Sequence, residues 1–235
     1  MKRIKTALAL LATLALAPAM ASTPAAYSAE YEVLRNGRAL GQADVRVSAA
    51  GNGVWEMHSQ TRGTRGVASL AGVEVTERSR FRWTPDLIEA MEYDYSQRAA
   101  TRSRERSVRV DAGGGSIVTR DRDEETRLPY QAGVLDRHIL PLAIARDLAS
   151  GNRGPLRYQV ADRGEVDEHV YRVTGTERVA TPKGEVEAVK LERQRANSDR
   201  VTTMWMDPGN GYLPVRVVQN EGRDTMETRL VRSSR

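Results

Sequence analysis

The stretch Val170–Val218, VYRVTGTERVATPKGEVEAVKLERQRANSDRVTTMWMDPGNGYLPVRVV, reads as four β-strands in succession. Val170 to Val173 opens the first, and Thr181-Pro182-Lys183-Gly184 turns the chain into a second from Glu185 to Arg193. A third runs from Val201 to Met206, and Asp207 to Gly211 turns it into Tyr212–Val218. Turn-forming residues stand where the alternation of side chains stops, which is the pattern of consecutive hairpins. In the second strand the apolar parity slips between Ala188 and Val189, and one inserted residue would restore it. This predicts a β-bulge at Ala188-Val189.

The same grammar extends in both directions. Glu30 to Leu34, the turn at Asn36-Gly37 and the strand Ala39–Val47 form a hairpin, after which Trp55 and Met57 alternate with Glu56 and His58. Arg62–Gly72 breaks the alternation with three glycines and predicts a loop or a single helical turn. Val73–Trp83 alternates cleanly, with Val75, Phe81 and Trp83 on one face and Arg78, Arg80 and Arg82 on the other. After a turn at Thr84-Pro85-Asp86, the residues Leu87, Glu89, Met91, Tyr93 and Tyr95 share one face at a period of two. Arg98–Arg109 is rich in arginine, and the strand after Asp111–Ser116 carries Asp121, Asp123 and Glu125. Pairing Asp111 with Ser116 sets Arg106 opposite Asp121, Arg104 opposite Asp123 and Arg102 opposite Glu125.

One segment has helical periodicity. Asp136 is placed to cap it, Leu140, Ile144 and Leu148 recur every four residues, and Ser150-Gly151-Asn152 ends it. Pro141 is awkward inside that helix, and the alternative makes it the first helical residue, with Asp136 to Leu140 as a separate turn. About a dozen strands spaced 8–12 residues apart around one helix make the fold mainly β. The expected architecture is a large curved antiparallel sheet, a half-barrel or incompletely closed barrel, with one main α-helix packed on it.

Residues 1–21 read as a secretory signal peptide, with a basic start at Lys2, Arg3 and Lys5, an apolar run from Ala7 to Ala17 and a small-x-small cleavage site before Ser22. Residues 22–28 are an expected flexible leader and residues 29–235 a single β-rich domain. The expected location is the periplasm, with no transmembrane segment after cleavage. Removing 21 of 235 residues leaves 214, and the loss of three basic side chains lowers the net charge from +5 to +2. Acidic and basic residues are interspersed, which argues against a nucleic-acid partner. With no cysteine, the protein uses neither disulfides nor zinc–thiolate sites and depends on its core.

No catalytic motif occurs. His58, His138 and His169 stand apart, without His-x-x-x-His, His-Glu-x-x-His or Gly-x-Ser-x-Gly spacing, and read as solvated surface histidines rather than catalytic or metal-binding ones. Asp121-x-Asp123-x-Glu125 lacks the glycine turn and distal glutamate of a calcium loop, so no metal and no cofactor are expected. Trp55, Met57, Phe81, Trp83, Met91, Tyr93, Met204 and Trp205, with Tyr95, are candidates for lining an apolar binding site. The competing reading makes them the ordinary core around the helix.

Several segments together carry a resemblance: Val73–Phe81, Gly133–Arg137, Leu156–Asp162, Thr181–Gly184 with Ala188–Arg193, and Trp205–Pro208 with Leu213–Arg216. They resemble the bacterial envelope family known as domain of unknown function 3108, over nearly all of the chain after residue 21. That resemblance implies a periplasmic protein and carries no catalytic residues with it. Trp205–Arg216 alone is faintly similar to a strand pair of lipoprotein-carrier-like half-barrels, an analogy of fold. These readings lead to a non-enzymatic binding or carrier protein for an apolar or amphipathic envelope molecule. The alternative is a structural or protein-interaction component of the envelope with a filled core and no small ligand.

Overall fold

A computed structural model describes residues 25–84, 87–100, 102–195 and 198–235. The expected signal peptide and its cleavage site lie outside the described residues. Eight strands and a short helix form the first arm: β1 Tyr27–Arg35, β2 Arg38–Gly51, β3 Val54–Gly63, α1 Gly66–Leu70, β4 Glu74–Trp83, β5 Ile88–Ala99, β6 Arg102–Asp111, β7 Ser116–Asp121 and β8 Glu124–Pro129. The second contains β9 Leu135–Asp136, α2 Leu140–Ala149, β10 Leu156–Asp162, β11 Glu165–Thr181, β12 Gly184–Gln194, β13 Val201–Asp207, β14 Leu213–Glu221 and β15 Asp224–Ser234. The first strand starts at Tyr27, so the last two residues of the expected leader are already paired.

All fifteen strands belong to one sheet, in the order β8-β7-β6-β5-β4-β3-β2-β1-β15-β14-β13-β12-β11-β10-β9. The first and last strands are neighbours, Ser28 opposite Ser234, so chain ends join two meanders at mid-sheet. Every pairing is antiparallel except the short one between β9 and β10. The sheet does not close into a barrel, but its twist brings the two arms together. Ala90 N donates to Val134 O at 2.8 Å and Gly164 N to Thr119 Oγ1 at 2.9 Å.

Helix α2 lies in the concavity, as its four-residue apolar period requires. Leu140, Leu142, Ala143, Ile144 and Leu148 are buried against Phe81, Trp83, Leu156, Leu191, Met204 and Met206. Burial of one such Leu or Ile contributes about 1.5–3 kcal/mol, so this face fixes the helix more firmly than its propensity does. The helix starts one residue before Pro141, which sits in its first turn; Ile139 rather than Asp136 is the N-cap, and Asp136 ends β9 and accepts from Ile139 N at 3.0 Å across the turn between them. At the other end Asn152 N donates to Asp147 O and Gly151 N to Leu148 O, with Gly151 at φ +86°, a Schellman ending that needs the left-handed residue.

Three sequence expectations need correction. The bulge is not at Ala188-Val189: β12 pairs without interruption there, and the extra residue is Thr174 on β11, between Val173 opposite Leu191 and Gly175 opposite Lys190. The parity slip arises because β12 buries both faces. Val189 and Leu191 enter the main core, whereas Ala188 joins Val179, Trp205, Val215 and Val218 on the other side. On β5 a bulge at Met91 moves the facing set, so Ile88 and Ala90 point inward before it and Tyr93 after it. The charge ladder holds only at its first rung. Arg106 faces Asp121, but the chain turns at Arg122 (φ +59°), and Arg104 joins the same carboxylate at 2.7 Å while Glu125 pairs with Arg120 at 2.6 Å.

Candidate functional site

The apolar candidates do not share one surface. Trp55, Met57, Phe81, Trp83 and Met204 belong to the core around α2. Tyr93 packs with Val108, Ile117, Val134 and Ala161 near the junction of the two arms. Met91 is partly buried at its bulge, and Tyr95 is half-buried beneath the Arg106 guanidinium, 5.1 Å from its ring centre. Trp205 is adjacent to Met204 on an extended strand and therefore faces the opposite way. Its indole donates to Glu177 Oε2 at 3.0 Å and lies 4.6 Å beneath the Arg216 guanidinium carbon. The space between concave sheet and helix is occupied by the helix's own side chains.

Above the start of α2 the concavity ends in a polar mouth of about 170 Å³. Its floor is apolar, from Leu140, Val160 and Tyr171. Its walls come from five strands, β10 to β14, and the turn before α2, with Arg137, Arg163, His169, Arg193, Arg195 and Arg200 around one opening. Alternation on β11 and β12 explains the choice: His169 follows the inward parity of Tyr171, and Arg193 that of Leu191. Asp162, Glu165 and Asp167 line the same opening.

The cations there are not equally compensated. Arg163 pairs with Asp162 at 2.8 Å, Arg200 Nε with Glu221 at 2.9 Å, and Arg137 lies 3.7 Å from Glu77. Among the described residues, no carboxylate lies within ion-pair distance of Arg193 or Arg195. Burial pulls the Arg193 pKa below the ordinary guanidinium value, repulsion from Arg195 and Arg200 adds to this, and Tyr171 and Asp167 oppose it. Burial also pushes His169 down to about 4, and its Nδ1 is buried without a hydrogen-bond partner. A neighbouring groove of about 450 Å³ shares Asp167, Arg193 and Arg195 and extends over Val170 and Arg172. The arrangement suits an anion. Two guanidiniums without an ion-pair partner, with an apolar floor beneath, can bind an oxyanion whose attached carbon chain rests on that floor.

A buried polar chain that the sequence did not reveal draws its members from β3, β4, the end of β9 and the turn after it. Ser59 Oγ is 2.9 Å from His138 Nε2, and Ser79 Oγ is 2.9 Å from His138 Nδ1 and 3.1 Å from Asp136 Oδ1. Asp136 Oδ1 also accepts from the backbone N–H groups of His138 and Ile139, which orders the turn into α2. Burial pushes Asp136 up to about 7 against these donors, and pushes His138 down to about 4 despite the favourable charge of Glu77. Beside it Tyr93 donates to Glu77 Oε1 at 2.6 Å. Serine, histidine and aspartate together suggest nucleophilic catalysis, but here Ser79 separates the acid from the imidazole, and Asp136, His138, Ser59 and Ser79 are each at most 9% exposed. The chain fastens helix to sheet. The contact between Ser59 and His138 corrects the surface reading of His138; His58 does lie on the outer face, half-buried. Among the described residues, no cluster of three or more His, Asp or Glu side chains is arranged to hold a metal ion, and no helix is long and apolar enough to cross a membrane.

Comparison with known proteins supports the fold. A crystal structure of a beta-barrel-like protein of domain of unknown function DUF1849 from Brucella abortus superposes with a TM-score of 0.55 at 10% identity, covering 89% of this chain and 97% of that one. A Bacteroides fragilis protein with a YmcC-like fold aligns over 89% of this chain and 95% of its own, at 11% identity and a TM-score of 0.33. No curated protein matches the chain. The sequence model of the family described as protein of unknown function (DUF3108) matches residues 26–228, and the chain belongs to that family.

Proposed function

We propose that this protein is a non-enzymatic binding protein of the bacterial periplasm that takes up the anionic head of an amphipathic envelope molecule. The observation that carries the reading is Arg193: half-buried, beside Arg195, with no carboxylate within ion-pair distance among the described residues, in a mouth floored by Leu140, Val160 and Tyr171. A desolvated cation over an apolar surface is costly for the fold alone, and a bound oxyanion removes the cost. The periplasmic placement rests on the signal-like segment before Ser22. Because α2 fills the concavity, only a short apolar portion of the ligand fits beneath its head without movement of the helix.

Native mass spectrometry of the exported protein, purified without detergent, tests this. The expected result is a population carrying an added acidic amphiphile that disappears in an Arg193→Gln/Arg195→Gln variant. An empty wild-type protein that also fails to take up an acidic acyl fluorophore sinks the reading. It leaves the structural or interaction role, which the filled core around α2 favours.

A further inference from the structure

The face of the sheet turned away from α2 carries a groove of about 700 Å³ across β15, β1, β2, β3 and β4. Strand register builds a straight row through it. Ser234 stands opposite Ser28, Ser28 opposite Arg46, Arg46 opposite His58, and His58 opposite Arg78. These side chains alternate with Val47, Met57 and Ser79, which point into the interior, so the row is fixed outward by the same pleat that builds the core.

Elsewhere in the groove every acid already has a cation. Arg62 takes Asp44 at 3.5 Å, Arg80 takes Glu56 at 3.3 Å, and Arg232 takes Glu30. Asp94, the next residue of the row beyond Arg78, is held by Arg109 at 2.6 Å. Among the described residues, Arg46 and Arg78 form no ion pair and no side-chain hydrogen bond. They flank His58 from the strands on either side, two strand spacings (about 10 Å) apart, and neither has an acid to offset it. Burial lowers the His58 pKa, and Arg78 and then Arg46 lower it further. Ser28 Oγ and Ser234 Oγ bond each other at 2.8 Å, which leaves one hydroxyl to add a donor to the two guanidiniums, a set suited to a tetrahedral oxyanion.

We propose that Arg46, His58 and Arg78, with Ser28, form a binding site for a phosphate group on the outer face of the sheet. A dianionic phosphate offsets both guanidiniums and accepts from the imidazole between them. The site is independent of the mouth above α2, on the opposite face. Free phosphate and the phosphate of a lipid headgroup share this chemistry.

The test is an NMR titration of the His58 ring in the full chain after export, assigned with His58→Gln, in chloride and in inorganic phosphate at matched ionic strength. Phosphate should raise the His58 pKa by about one unit. In Arg46→Gln/Arg78→Gln the pKa should already be higher in chloride and should no longer respond to phosphate. In chloride that variant should melt within about 1 °C of wild type, whereas phosphate should raise the melting temperature of wild type and not that of the variant. Vesicles containing phosphatidylglycerol that shift His58 where phosphatidylcholine vesicles do not would identify a lipid headgroup; a response to phosphate alone would identify the free ion. The proposal is overturned if neither phosphate nor anionic vesicles move His58, or if the response survives in the double variant.

Discussion

His138 Nε2 lies 2.9 Å from Ser59 Oγ, a contact between residues 79 positions apart that ties the turn before α2 to the concave face of β3. The bond matters because it belongs to a chain with two displaced titrations of opposite sign. Asp136 is raised to about 7 by burial, so its folded form holds a proton that the unfolded form has lost. Its contribution is present below the unfolded pKa near 4 and is lost as pH rises through about 7. His138, lowered to about 4 by burial, contributes above 6.5 and loses that contribution as pH falls to about 4. His169, lowered to about 4 as well, acts in the same direction as His138.

Melting temperatures across this pH window should separate the terms. The stability of Asp136→Asn relative to wild type should increase as pH rises from about 4 to about 7, since the variant carries no buried charge. The stability of His138→Gln relative to wild type should increase as pH falls from about 6.5 to about 4, since the variant has no proton to gain on unfolding. Variant and wild-type curves that run parallel would show that the buried chain does not titrate in this way.

The helix is part of the core rather than a removable cover. Ile144 is fully buried on α2, and Ile144→Ala should cost about 2–5 kcal/mol in denaturant unfolding. A loss below about 1 kcal/mol would mean that α2 is docked loosely over the concavity.

The bulge on β11 depends on Gly175, whose φ of +143° lies where L-residues are strained. An added Cβ meets nothing within 4 Å, so Gly175→Ala tests backbone strain alone. It should cost about 1–3 kcal/mol, measured by equilibrium unfolding. A neutral substitution would place the register change elsewhere.

The hairpins of Val170–Val218 were legible because turn residues mark them: β11 and β12 meet at Thr181–Gly184 and β13 and β14 at Asp207–Tyr212, although β11 begins at Glu165 rather than at Val170. The helix was legible from one apolar period. What alternation could not reveal was a strand with two buried faces. Met204 and Trp205 are both buried, and only the presence of packing on each side of β13 explains it. The Met91 bulge was hidden for a similar reason, since an inserted residue changes facing without changing composition. The buried chain from Ser59 to Asp136 requires contacts between distant strands, which no local pattern encodes. The arginine mouth was obscured by its neighbours: Glu192 adjoins Arg193 in sequence, yet consecutive strand residues point to opposite faces. A basic residue at an inward-parity position, such as Arg193 two beyond Leu191, was the available signal.

The central claim is that the mouth recognises a negative charge on an amphipathic molecule, and a paired titration reaches it most directly. Binding of a fluorescent fatty acid and of its uncharged methyl ester can be compared in wild type and in Arg193→Gln/Arg195→Gln. One charge-assisted contact is worth about 1.5–3 kcal/mol, so the acid should bind wild type at least about tenfold more tightly than the ester. The double variant should lose that preference while keeping its fold. Equal binding of acid and ester by the wild-type protein, or an undiminished preference for the acid in the variant, would contradict the account.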